Sequence, residues 1–163
     1  MKTVVLACAL VIALPTVLFG QEHMSISLEF QHSLRIPNSQ INIDLIQTPK
    51  IVIAKVKSNP GTNDPIWNHT RKDTSFRIPM EDFERILALV KRIPLQEIFS
   101  KIEPSETGHD GTTGIIRFGN YEYKIAICVW TPNHKSKDRG TKEFLTAFKE
   151  ILKAGGFKPN KIL

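Results

Sequence analysis

The sequence predicts an α+β fold: a mostly antiparallel sheet of about five strands, with helices packed on one face and a helix at the C-terminus. Three observations carry this. Apolar residues alternate with polar ones in three successive runs, recur next at helical spacing, then alternate again in a hairpin before a last helical stripe. Runs of strands followed by segregated helices belong to α+β proteins, whereas α/β proteins alternate the two. The links between the first three runs are short, which favours antiparallel neighbours, because a parallel return needs a dozen or more residues.

The first run spans Ser25 to Arg35. Ile26, Leu28, Phe30, His32 and Leu34 share one face, and Ser27, Glu29, Gln31, Ser33 and Arg35 the other, as in a half-buried strand. Pro37-Asn38-Ser39 makes a turn. Ile41 to Thr48 repeats the alternation through Ile41, Ile43 and Leu45, and after Pro49-Lys50 a third strand runs from Ile51 to Ser58, rich in β-branched residues. Together these three form a meander.

From Asn59 to Phe76 the chain is polar, with two prolines, a glycine and Trp67, and reads as a long loop of the kind that carries function. Pro79 then opens a helix. Glu81 and Asp82 lie in its first turn, where the helix dipole favours negative charge, and Phe83, Ile86, Leu87, Val90 and Ile93 form its apolar face. Pro94 ends that helix and starts a short second one, with Leu95, Ile98, Phe99 and Ile102 on the apolar side.

After a loop from Pro104 to Gly111 comes the hairpin: Thr113 to Phe118, a Gly119-Asn120 turn, then Tyr121 to Thr131. Its second strand carries Tyr123, Ile125, Ile127 and Val129 on one face and Ala126, Cys128 and Trp130 on the other. Apolar residues on both faces predict a central strand, or one covered on both sides, with Cys128 a buried and inert thiol and Trp130 in the core. A basic loop, Pro132 to Gly140, leads to the final helix, from about Thr141 to Ala154. Phe144, Phe148 and Ile151 form its stripe, and Gly155 is its stop.

The first 20 residues stand apart. Lys2 precedes an apolar stretch from Val4 to Phe19, and Gly20 offers a small residue for cleavage before Gln21, the order of a secretory signal peptide. The stretch is shorter than the ~20 residues a membrane-spanning helix needs. Cys8 follows too few apolar residues to serve as a lipid-attachment site. The expected product is therefore one domain, residues 21–163, exported to a periplasmic or extracellular space and not membrane-anchored. Loss of Lys2 lowers the formal net charge of +6 by one, and loss of Cys8 leaves Cys128 alone, which excludes an internal disulfide.

An exported domain of modest, dispersed positive charge points to another protein or an anionic envelope surface as partner, not to nucleic acid. Two polar segments supply the candidate binding residues. Trp67 lies among Asn68, His69 and Arg71, an aromatic beside a guanidinium as at binding hot spots, although the indole also has the option of folding back over the sheet. Lys135, Lys137 and Arg139 form the densest basic run, interrupted by Asp138. Asn68-His69-Thr70 also fits the N-glycosylation acceptor pattern.

Catalysis has weaker claims. His109-Asp110 is the one pair with acid–base chemistry, on a loop before a strand. Adjacent loop residues point apart, however, and Asp110-Gly111-Thr112 reads first as a turn in which Asp accepts backbone N–H groups. The histidines His23, His32, His69, His109 and His134 lack paired metal-ligand spacing, and no Gly-rich phosphate loop occurs, so neither metal nor cofactor is expected.

Residues 110–156 also carry a rhythm: Asp110-Gly111-Thr112, a strand with Tyr121 and Tyr123, Trp130-Thr131-Pro132, and the Phe144/Phe148 helix ending at Gly155-Gly156. This resembles a module of small uncharacterised exported bacterial proteins in which Asp-Gly-Thr, a Tyr-bearing strand, Trp-x-Pro and an amphipathic helix recur. Gly114-Ile115 departs from it where the module often has an aromatic residue. The resemblance implies a bacterial source and a hairpin-plus-helix unit. It implies no activity, because the module has none assigned. The expected function is a non-enzymatic exported binding protein, an envelope module or an inhibitor or immunity-type protein. The alternatives are a binder of anionic envelope polymers or a small hydrolase using His109 and Asp110.

Overall fold

In a computed structural model, residues 23–101 and 111–163 are described. The fold is α+β. Among these residues, six strands form one sheet: β1 (Ser25–His32), β2 (Gln40–Gln47), β3 (Val52–Asn59), β4 (Lys72–Ile78), β5 (Thr112–Gly119) and β6 (Lys124–Trp130). Their order is β4-β3-β2-β1-β5-β6, and every neighbouring pair is antiparallel. Among the described residues, three helices accompany the sheet: α1 (Met80–Lys91), α2 (Leu95–Lys101) and α3 (Lys142–Ala154).

The predicted alternation sets the two faces. Ile26, Leu28 and Phe30 of β1, Ile41, Ile43 and Leu45 of β2, and Val52, Ala54 and Val56 of β3 are buried on one face. The helices supply the opposing layer with Phe83, Ile86 and Val90 from α1 and Phe144, Phe148, Ile151 and Leu152 from α3. Phe148 packs edge-on to Phe30, with ring centroids 6.0 Å apart. Beneath it lies Gly114 of β5, where a Cβ would stand 2.6 Å from the Phe148 ring. The glycine that departs from the module pattern is thus the seat of the α3 aromatic. At the far end of α3, a side chain on Gly155 would run into Ile43. Gly155 caps the helix at φ −78, and the left-handed turn falls one residue later, at Gly156 with φ +77. Arg85 of α1 ties the two long helices together by donating to Glu150 at 2.5 Å and to its own Asp82 at 2.9 Å. The ammonium of Lys153 and the Arg85 guanidinium hold the Glu150 carboxyl below its usual range, against the opposing pull of partial burial.

Four expectations need correction. The stretch Asn59 to Phe76 is not all loop: Lys72–Ile78 is the sixth strand. It is an edge strand whose side chains are exposed except for Ile78, so it carries no apolar alternation to betray it. Strand β6 is the other edge and is not covered on both sides. Ile127 and Val129 are buried, whereas Ala126 and Cys128 are exposed and Ile125 is 41% exposed. Strand β1 ends at His32, two residues before Leu34, which is exposed. Phe99 of α2 is also exposed, while Ile98 is buried. Among the described residues, no helix is long and apolar enough to cross a membrane.

Candidate functional site

Strand direction brings the candidate residues to one end of the sheet. Strands β1, β3 and β6 run the same way, so His32, Asn59 and Trp130 leave the sheet at the same end, and β2 and β5 begin there. The register makes this concrete. Asn59 pairs with Gln40, Gln40 with Gln31, Gln31 with Thr113 and Thr113 with Trp130, forming one row across five strands. At one end of that row begins the segment holding Trp67, His69 and Arg71. At the other begins the loop holding Lys135, Lys137 and Arg139. They are four inter-strand steps apart, about 19 Å at ~4.8 Å per step.

The segment after Asn59 is ordered by short-range bonds. Asp64 caps a 3-10 turn, Pro65–Thr70, by accepting from the Ile66 N–H at 3.0 Å. Thr70 Oγ1 donates to Trp67 O at 2.7 Å, and His69 Nδ1 bonds to Ile66 O at 2.8 Å. The Trp67 and His69 rings stack at 6.2 Å. Trp67 is half-buried; Ile66, at 67% exposed, stands beside it, and His69 and Arg71 are exposed. The turn therefore presents an aromatic, an aliphatic and a guanidinium on a rigid frame.

Between this turn and β1 lies a polar cleft of about 510 Å³. Gln31, His32 and Ser33 line it from β1 and its exit, Gln40 from β2, Asn59 to Asn63 from the chain after β3, and Arg71 from the far side. His32 is held by its neighbours: its Nδ1 accepts the Leu34 N–H at 3.2 Å, and its carbonyl accepts Ser39 Oγ at 2.8 Å. Burial and the nearby Arg35 charge hold the imidazole pKa below its ordinary value, which favours the neutral ring that can accept at Nδ1. Ser33 Oγ accepts the Gly111 N–H at 3.1 Å, joining the cleft wall to the entry of β5. The cleft can hydrogen-bond a solute or an extended peptide through amides, hydroxyls, an imidazole and a guanidinium.

The basic loop divides. Lys135 and Lys137 are exposed, while Arg139 is 4% exposed and turned inward. Its guanidinium donates to the carbonyls of Trp130 at 3.0 Å, Thr131 at 3.1 Å and His134 at 3.4 Å. Arg139 thus fastens the loop and does not extend the surface cluster with Lys135 and Lys137. Trp130 is half-buried, with its ring edge against Gly111. His109 and Asp110 lie outside the described residues. Cys128 is exposed on the helix-free face, and its thiol is pushed up by partial burial against the lowering pull of Arg117.

A second cavity, about 550 Å³, lies beyond α3. Lys149, Lys153, Lys158 and Lys161 surround it over Phe157. Lys72 adds its ammonium 4.5 Å from the Phe157 ring centroid. Among the described residues, Lys149, Lys158 and Lys161 have no acidic side chain within ion-pair distance.

Sequence reasoning missed the cleft itself. His32 reads as a residue on the apolar face of its strand and Gln31 as one on the polar face, while Gln40 precedes the second predicted strand and Asn59 opens the long polar stretch. The available signal was that all three strand ends are polar, but their convergence depends on register. Compared with known proteins, the chain matches no family model, no curated protein and no solved structure.

Proposed function

We propose that this chain is an exported, non-enzymatic binding protein that docks another protein at the sheet end carrying the Trp67 turn and the polar cleft. One observation carries the reading: Arg71, the C-cap of the turn that displays Ile66 and Trp67, lines a cleft of about 510 Å³ whose other walls are mostly hydrogen-bonding groups. Aromatic and arginine anchors that become desolvated on docking, with polar hydrogen-bonding groups at the rim, are the usual composition of a protein interface. Export rests on the leader-like residues 1–20, and the resemblance of residues 110–156 to an exported bacterial module supports the same compartment.

The test is affinity capture from envelope extract with the wild-type protein and with Trp67→Ala and Arg71→Ala. A partner that binds the wild type should lose at least tenfold in affinity to each variant, the order expected when a hot-spot side chain is truncated. Recovery of the same partners by all three forms at equal strength would sink the reading.

A second reading is favoured by the lysine-lined cavity over Phe157. There the ligand is an anionic envelope polymer or surface, held by Lys149, Lys153, Lys158 and Lys161.

A further inference from the structure

The sheet end that carries the cleft also holds aliphatic side chains out in solvent. Leu34 is 73% exposed and Ile66 67%, and Ile36 is exposed beside Leu34. Leu34 and Ile36 sit in the turn between β1 and β2, Ile66 in the 3-10 turn between β3 and β4. The two connections are neighbours. Ser33 and Ser39 share the cleft wall with the chain after Asn59, and a Cβ on Gly61 would lie 2.5 Å from Arg35 O. All three aliphatic residues stand outside the core cluster.

Cations surround these turns. Arg35, between Leu34 and Ile36, donates to Ile162 O and so holds the C-terminal turn Pro159–Lys161 against the β1–β2 turn. That turn brings Lys158 and Lys161, and Lys72 reaches Phe157 from the start of β4. Arg71 lines the same cleft as Ser33. Lys135 and Lys137 are exposed on the loop that leaves this sheet end after Trp130. The acidic side chains on these segments are Asp64, Asp73 and Asp138. Asp64 accepts the Ile66 N–H, and Asp73 lies 3.6 Å from Lys57. Positive charge therefore dominates the ground around the aliphatic tips.

We infer that this end of the molecule docks on an anionic lipid bilayer, with Leu34, Ile36 and Ile66 in the interfacial layer and the surrounding cations on phosphate headgroups. The inference rests on the reading of an anionic surface as ligand, and it names that surface. Two chemistries are presented side by side, and together they select the occupant. Cations draw any polyanion, but a soluble polyanion offers no apolar phase and leaves the aliphatic tips in water. A zwitterionic bilayer offers the apolar phase and leaves the lysines without a counter-charge. An anionic bilayer meets both, because apolar burial and attraction to charged headgroups add in binding at a membrane surface. Three aliphatic side chains bury far less apolar area than a spanning helix, so the contact is peripheral and reversible.

The test uses the protein as its host processes it. It is sedimented with phosphatidylcholine vesicles that contain phosphatidylglycerol, sedimented with vesicles of phosphatidylcholine alone, and titrated with soluble polyphosphate. Wild type should bind the anionic vesicles at least about tenfold more tightly than the neutral ones. Leu34→Ser with Ile66→Ser should weaken vesicle binding about tenfold and leave the polyphosphate affinity unchanged. Lys158→Gln with Lys161→Gln should weaken both about tenfold. Tyr121→Ser removes an exposed aromatic from the opposite end of the sheet and should match wild type. The replaced side chains are exposed, so circular dichroism and the melting midpoint should stay close to wild type. Polyphosphate binding without vesicle binding, or vesicle binding indifferent to the Leu34/Ile66 pair, would overturn the inference and leave the polyanion reading standing. Equal binding to both kinds of vesicle, or a loss in Tyr121→Ser as large as in the Leu34/Ile66 pair, would also overturn it. Binding to neither vesicles nor polyphosphate would remove both readings.

Discussion

His32 shows how one side chain can report on the cleft. Its Nδ1 accepts the Leu34 N–H, a bond that only the neutral ring makes, and burial together with Arg35 lowers its pKa. The folded state thus binds a proton less readily than the unfolded chain, whose imidazole titrates near its ordinary value of 6.5. The stability this contributes is present above the unfolded pKa and is lost as pH falls through the lower, folded value. An NMR titration should place the His32 midpoint below 6.5. The Leu34 amide resonance should shift with the same midpoint, and His32→Gln should flatten the acid limb of the melting curve. A midpoint at or above that ordinary value would contradict the bond.

At the scale of elements, the loop between β6 and α3 separates two kinds of basic residue that look alike in sequence. Lys135 and Lys137 project into solvent, while Arg139 satisfies three carbonyls at the exit of β6. Truncating a buried donor leaves its acceptors unpaired, at about 1–3 kcal/mol. Arg139→Ala should lower unfolding stability by that amount in urea, whereas Lys135→Ala should stay within about 0.5 kcal/mol of wild type. Equal effects would mean that Arg139 does not fasten the loop. A spaced run of basic residues cannot disclose this difference, because the acceptors of Arg139 are backbone carbonyls whose positions depend on how the strand ends.

The elements themselves were legible to very different degrees. The cores of β1, β2, β3 and α3 follow from alternation and helical spacing, because each has one buried face and the pattern records it. Strand β4 has almost no buried face: Phe76 is 38% exposed and only Ile78 is partly covered, so burial left no pattern to read. Strand β6 failed in the opposite way. Its apolar residues on both faces imitate a covered strand, but among the described residues β5 alone flanks it, and Ala126 and Cys128 are exposed. That edge is where local composition and tertiary position disagree.

Across the whole molecule, charge is distributed unevenly although the net value is modest. The lysines around Phe157 gather from α3, from the C-terminal 3-10 turn Pro159–Lys161 with its N-cap Lys158, and from β4. If anionic polymers bind there, affinity should fall steeply with added salt, and Lys149→Gln with Lys158→Gln should reduce that dependence. Binding through the Trp67 turn should respond weakly to salt and not at all to those lysine changes. Titration of a polyanion at two ionic strengths separates the cases, and a salt-independent affinity would remove the polyanion reading.

By itself the sequence determined the α+β class, the meander, the hairpin and the helical stripes, because each is written in local periodicity and turn chemistry. It also put Trp67, Arg71, Lys135 and Lys137 forward as candidates by residue type. Only the tertiary structure decided that the segments bearing them leave one end of the sheet, that Gln31, His32, Gln40 and Asn59 line a cleft with Arg71, that Arg139 turns inward, and that β6 is an edge. The physical reason is the same throughout. Which residue lies beside which across a sheet is set by strand order and register, and these follow from burying the whole apolar face beneath α1 and α3 at once.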